Sequence, residues 1–152
     1  MKKIIYVDMD DVLCDYKAAF TKAIEKNPEI QYPQSQFDFF RKLKPITGSI
    51  EAIEFLRKQD IFEVYILTAP SLFNPISYLE KRLWIEDHLG FEFVEKLIIS
   101  PNKGLLKGDY LIDDITEGKG QEGFEGTLLH FGKEKYPNWK SIIHYFTTTY
   151  SI

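Results

Sequence analysis

KIIYVDMDDVL, residues 3–13, decides the fold of this chain. Lys3 to Val7 is a short apolar run rich in β-branched and aromatic residues, the composition of a buried strand. Carboxylates follow at once: Asp8, Asp10, Asp11 and then Asp15. In open α/β sheets, ligands bind beyond the carboxyl ends of the strands. Acidic side chains crowded there repel one another and need a cation or a shared proton. Taken alone, the same residues would also suit a solvated turn that caps a helix.

Similar runs recur downstream. Phe62–Leu67 (FEVYIL), Val94–Ile99 (VEKLII), Tyr110–Ile112 (YLI) and Thr127–Phe131 (TLLHF) all read as buried strands. Helical patterns lie between some of them. Ser49 is placed to cap a helix carrying Ile50, Ile53, Phe55 and Leu56. Pro75 opens another with Ile76, Leu79, Leu83 and Trp84 at helical spacing, stopping near Gly90, and Asn138 is placed to cap a last one. Apolar strands alternating with amphipathic helices predict an α/β fold, a Rossmann-like three-layer sandwich around a central parallel sheet. Residues 16–47 break the alternation with Pro28, Pro33, Pro45 and several aromatics. They read as a small, mainly helical cap inserted after the first strand, which leaves 1–15 and 48–152 as the core. Gly118 to Gly126 reads as an exposed loop.

A second acidic cluster changes the meaning of the first. Asp113 and Asp114 directly follow the run YLI. Carboxylates at two strand ends can converge on one hard cation, and oxygen ligands of this kind suit Mg²⁺. Asp109 offers a competing spacing, but it precedes the strand. Thr68 follows FEVYIL and leads into Ala69-Pro70, where a hydroxyl and free N–H groups could hold phosphate oxygens. Lys103, in PNKG after the next run, could neutralise a phosphate. Singly these are a turn residue and a solvated lysine. The order D-x-D, T, K, D-D at four strand ends is far more specific.

The segments DMDDV (8–12), LTAP (67–70), NKG (102–104) and LIDD (111–114) together resemble the haloacid dehalogenase-like phosphatases. KRLWIEDHLG (81–90) and GDYLIDD (108–114) are similar to the 5′(3′)-deoxyribonucleotidase family within them. That resemblance implies Asp8 as nucleophile and Asp10 as proton donor and acceptor. It implies phosphate binding by Thr68, the Ala69 N–H and Lys103. It also implies a Mg²⁺ site from Asp8, the Asp10 carbonyl, Asp113 and Asp114, the last two directly or through water. The chain departs from the family in carrying Asp11 where Gly is usual, and in a short cap. In that cap Phe37, Phe39 and Phe40 could line a substrate pocket against a base, or pack against each other.

Composition fits this reading. The chain has 152 residues, 44% hydrophobic and 28% charged, the size of one domain with a real core. A formal net charge of −4 speaks against polymeric nucleic acid or an anionic membrane as partner. Cys14 is the one cysteine, so no intrachain disulfide forms, and no apolar stretch approaches membrane-spanning length. A cytoplasmic phosphatase acting on a small phosphomonoester, a nucleoside monophosphate by resemblance, is the expectation, with a homodimer open to it. A sugar phosphatase or a phosphate-binding relative without turnover are the competing expectations.

Overall fold

All five apolar runs become strands of one parallel sheet. A computed structural model describes residues 1–152. The strands are β1 (Lys3–Val7), β2 (Phe62–Thr68), β3 (Leu97–Ile99), β4 (Tyr110–Asp113) and β5 (Thr127–His130), in the order β3-β2-β1-β4-β5. β1 is therefore central, with Val7 opposite Ile66 of β2 and Ile112 of β4. The helices are α1 (Tyr16–Lys26), α2 (Ser49–Arg57), α3 (Ile76–Leu89) and α4 (Trp139–Tyr150). Ile5, Val7, Ile53, Leu56, Trp84, Ile142 and Phe146 are fully enclosed in the main core cluster, and Tyr6, Leu67, Leu111 and Phe124 form a second cluster on the other face of the sheet, so the fold is the Rossmann-like α/β sandwich around a central parallel sheet that the pattern predicts. No helix is long and apolar enough to cross a membrane.

Several local expectations need correction. Residues 94–96 close a 3₁₀ segment (Phe91–Lys96), so β3 keeps only its last three residues. Ser49 is not the cap of α2: Gly48 holds that position, and the Ser49 hydroxyl instead donates to the Leu13 carbonyl at 3.0 Å. Asn138 does cap α4, in a reciprocal pair with Ser141. Leu79, counted on the inner face of α3, is exposed, because that face is built from Ser77, Glu80, Lys81, Trp84 and Ile85. A helix that buries Glu and Lys in its first two turns is arranged around polar partners rather than around a hydrophobic stripe.

Residues 16–47 run from β1 to α2 and contain α1 and a 3₁₀ turn at Pro33–Ser35. The segment is bound at both ends. Asp15 caps α1 by accepting from the Ala18 N–H, and the Ile46 N–H donates to the Leu13 carbonyl. In its middle, the Glu80 carboxylate accepts the N–H groups of Asp38 and Phe40. Phe40 and Leu43 enter the main core.

The turn after β1 is tight. Val12, Leu13 and Cys14 all donate N–H groups to the Met9 carbonyl, and Asp11 is left-handed at φ +62°. Glycine is the usual occupant of such a conformation, and aspartate tolerates it better than most. Here the Asp11 carboxylate accepts the Lys17 N–H at 2.9 Å. Asp11 thus occupies the left-handed conformation that glycine would take, with its side chain tied to α1. Asp11→Gly should alter stability by less than about 1 kcal/mol, whereas Asp11→Val, β-branched at positive φ, should cost about 1–2 kcal/mol. Denaturant unfolding of both variants checks this; equal stabilities would contradict it.

Candidate active site

The register of the sheet brings the acidic residues together. β1 and β4 are parallel neighbours, so Asp8 after β1 and Asp113 at the end of β4 emerge side by side at the carboxyl edge. Carboxylate oxygens of Asp8, Asp113 and Asp114 lie within 4.8 Å of one another. Asp109 is at the other end of β4, where it pairs with Lys3 at 2.8 Å and accepts the Ile4 N–H. It has no place in this cluster.

Two buried lysines meet the carboxylates. The Lys103 ammonium donates to Asp8 Oδ1 at 2.8 Å and to Asp113 Oδ2 at 2.6 Å. Burial would lower the pKa of that ammonium, but Asp8 and then Asp113 hold it above its ordinary value. Lys103 is fixed by backbone packing beneath it. Its N–H donates to the Lys119 carbonyl at 2.7 Å, and the neighbouring Gly120, at φ +85°, lies so close that a Cβ there would meet Asn102 Oδ1 at 2.0 Å. The glycine-rich loop read as exposed thus lies partly against the site. Its Gln121 is buried and donates to Asp113 Oδ2 at 3.2 Å.

Lys81, the second lysine, comes from α3 and is wholly enclosed. Its ammonium donates to Asp10 Oδ2 at 2.9 Å and to Thr68 Oγ1 at 3.0 Å, and it stands 4.8 Å from the Phe40 ring centroid. Sequence reasoning placed Lys81 in a family-like segment but gave it no role. The apolar stripe read at Ile76, Leu79, Leu83 and Trp84 does not pass through position 81, so periodicity gave no signal for it.

Burial raises two of the three carboxyls. Asp8 is pushed up to about 7, first by burial, against the pull of Lys103. Asp114 is pushed up to about 6, by burial and then by Asp113, and it forms no ion pair. Asp113 has both oxygens engaged, accepting from Lys103 and Gln121 on one and from the Ile115 N–H on the other. Three clustered carboxylates, one of them half-buried without a cationic partner, could together hold a hard divalent cation.

A cavity of about 300 Å³ opens onto this cluster. Asp8, Asp10, Ala69 and Lys103 line it on the sheet side, and Tyr16, Gln34 and Phe40 come from the inserted segment. Thr68 is buried and does not line the cavity; its hydroxyl oxygen accepts from Lys81. The Ala69 N–H makes no backbone hydrogen bond. The three aromatic candidates divide: Phe40 lines the cavity, Phe39 packs edge-on against Tyr16 and Phe40, and Phe37 stands 82% exposed outside the lining.

Residues 29–136 match the family described as 5′ nucleotidase, deoxy (pyrimidine), cytosolic type C protein. A protein of Vibrio phage KVP40, provisionally named a 5′(3′)-deoxyribonucleotidase, is 40% identical over 97% of this chain and 86% of its own length. The human cytosolic-type 5′(3′)-deoxyribonucleotidase is 29% identical over 91% of this chain and 78% of its own. A Bacillus subtilis 5′(3′)-deoxyribonucleotidase is 30% identical over 86% of both. Among solved structures, the fold is similar to YfnB of B. subtilis, provisionally described as a haloacid dehalogenase-like hydrolase and solved with magnesium. The TM-score is 0.64 at 13% identity, covering 95% of this chain and 98% of that one.

The raised carboxyls predict how cation binding depends on pH. With both pKa values above the unfolded values, proton uptake favours the folded state at low pH, and this contribution is lost as pH rises through about 6 to 7. A divalent cation needs the ionised forms and replaces that contribution. The rise in Tm on adding MgCl₂ should therefore be larger at about pH 8 than at about pH 5.5, by roughly twofold or more. Equal shifts at both pH values would remove Asp8 and Asp114 from the cation site.

Proposed function

The chain belongs to the 5′(3′)-deoxyribonucleotidase family of haloacid dehalogenase-like phosphatases, and from that premise we propose that it is a Mg²⁺-dependent phosphomonoester hydrolase that dephosphorylates nucleoside monophosphates through an aspartyl-phosphate on Asp8. One observation carries the assignment: Asp8 and Asp10, two residues apart, have different partners. Asp8 lies against Lys103 and the carboxylates after β4, while Asp10 lies against Lys81 and is partly open to the cavity. A nucleophile and an acid–base need such different surroundings.

Asp8 attacks phosphorus, the ester P–O bond breaks, and Asp10 gives its proton to the departing oxygen. Water then attacks the acyl phosphate, its proton passes to Asp10, and Asp8 leaves as carboxylate with release of inorganic phosphate. Lys81 donates to Asp10 Oδ2 at 2.9 Å, and Asp10 Oδ1 accepts from the Cys14 thiol at 3.7 Å. Lys103 and the free Ala69 N–H hold phosphate oxygens, while Thr68, expected beside them, is buried outside the cavity lining and its hydroxyl oxygen accepts from the Lys81 ammonium. Asp8, Asp113 and Asp114, with the Asp10 carbonyl, which accepts no backbone hydrogen bond, are the residues for Mg²⁺. The cation would neutralise charge on the phosphate oxygens.

The segment 16–47 acts as the cap. Tyr16 and Phe40 give it an aromatic wall, which suits a base better than a hydroxyl-rich sugar. Following the cytosolic-type human relative, we place the reaction in the cytoplasm.

Asp8→Asn should abolish phosphate release while leaving the fold intact. Activity within about tenfold of the parent would sink the nucleophile assignment. Asp10→Asn should lose far more activity on alkyl phosphates than on p-nitrophenyl phosphate, whose leaving group needs little protonation. Lys81→Met should share that selective pattern if Lys81 positions Asp10, and a uniform loss on both substrates would assign Lys81 to phosphate binding instead. Excess chelator should stop turnover, and added Mg²⁺ should restore it.

A further inference from the structure

We propose that Gln34 is the residue that determines specificity for the leaving group, its side-chain amide reading the hydrogen-bonding edge of the nucleobase; this rests on the nucleotidase reading above. Gln34 lines the same cavity as Asp8, Asp10 and Lys103. Its Oε1 is buried and has no hydrogen-bond partner, a state shared by only one other side-chain atom, Arg82 Nε, outside the cavity. Buried polar atoms are almost always paired, and leaving one unpaired is costly. An orphan acceptor in the wall of a substrate cavity is satisfied most simply by the substrate.

The amide is held in place. Pro33, buried, begins the 3₁₀ turn that carries Gln34. The Gln34 backbone carbonyl accepts from Asn74 Nδ2 at 2.9 Å. Asn74 is itself buried, and its Oδ1 accepts the Ile76 N–H at the start of α3. Gln34 is thus tied to the loop that follows Ala69 and Pro70, which forms part of the same cavity wall. A side chain so placed keeps its distance from the phosphate end fixed.

The chemistry of the ligand follows from the group. The unpaired atom is an acceptor, so its partner presents an N–H or O–H donor. The amide N–H₂ lies beside it and can donate to an adjacent acceptor. Neighbouring donor and acceptor atoms in one plane are the pattern of a base edge. Phosphate offers acceptors, and the flat aromatic pair Tyr16 and Phe40, with rings 6.1 Å apart and 30° from parallel, gives a base a face to lie against. Gln34 is neutral, so its contact adds no charge to the carboxylate-rich end of the cavity.

The test compares kcat/KM on the four deoxynucleoside 5′-monophosphates and on deoxyribose 5-phosphate, which keeps sugar and phosphate but lacks the base. Wild type should prefer at least one nucleotide. Gln34→Leu should lower that kcat/KM about tenfold, mainly through KM, and that for deoxyribose 5-phosphate by no more than about twofold. Asn74→Ala, which frees the Gln34 backbone, should give a weaker form of the same pattern. Equal loss on nucleotide and deoxyribose 5-phosphate, or no loss on either, would overturn the role of Gln34. Wild type that hydrolyses deoxyribose 5-phosphate as well as every nucleotide would overturn base reading while leaving the phosphatase standing. Wild type that hydrolyses other phosphomonoesters but no nucleotide would overturn the nucleotidase reading itself. Unfolding curves and p-nitrophenyl phosphate turnover certify that each variant is folded.

Discussion

Electrostatic repulsion among carboxylates at the end of a buried sheet is the constraint on which the rest of this structure depends. Asp8 and Asp113 are forced together by the pairing of β1 with β4 and lie where water is scarce. Burying charges of one sign is expensive unless opposite charge is buried with them. Lys103, which bridges the two carboxylates, is buried for that reason, and Gly104 and Gly120 allow the chain close enough beneath it. The glycine-rich loop that looks like a surface feature in sequence is, in the fold, the support of this lysine.

The same constraint explains α3. Its buried face begins with polar residues and becomes apolar only at Trp84 and Ile85. Lys81 turns toward Asp10 and Thr68, and Glu80 turns toward the backbone of Asp38 and Phe40. One turn of helix therefore meets both the carboxylate end of the cavity and the backbone of the inserted segment. Phe40 links the two, lying over the Lys81 ammonium while its ring faces the cavity beside Tyr16. Asn74 adds a second tie between the insert and the loop after β2. An insert fastened in this way sets the shape of the cavity through its packing.

Much of this was legible in the residues. Apolar runs of β-branched and aromatic residues fixed all five strands to within a few positions, because a strand buried on both faces has little choice of composition. Carboxylates, Thr68 and Lys103 at strand ends were legible because a parallel sheet brings all such ends to one edge. Where reading failed, the cause was tertiary. Leu79 faces solvent because Glu80 and Lys81 have partners elsewhere that no helical period encodes. Val94 to Lys96 coil into a 3₁₀ segment although their composition suits a strand. Phe37, Phe39 and Phe40, alike in sequence, divide into exposed, packed and cavity-lining residues within four positions.

By itself, then, the order of residue types determined the sheet, the edge at which chemistry gathers and the carboxylates available to it, since these follow from periodicity and from the polarity of a parallel sheet. Only the tertiary structure decided which polar groups meet. Lys81 lies 71 residues from Asp10 in the chain, Gln121 eight from Asp113, and Gln34 forty from Asn74. Pairings of that kind arise from the crossing of elements in space, and each is selected because a buried polar group must find a partner.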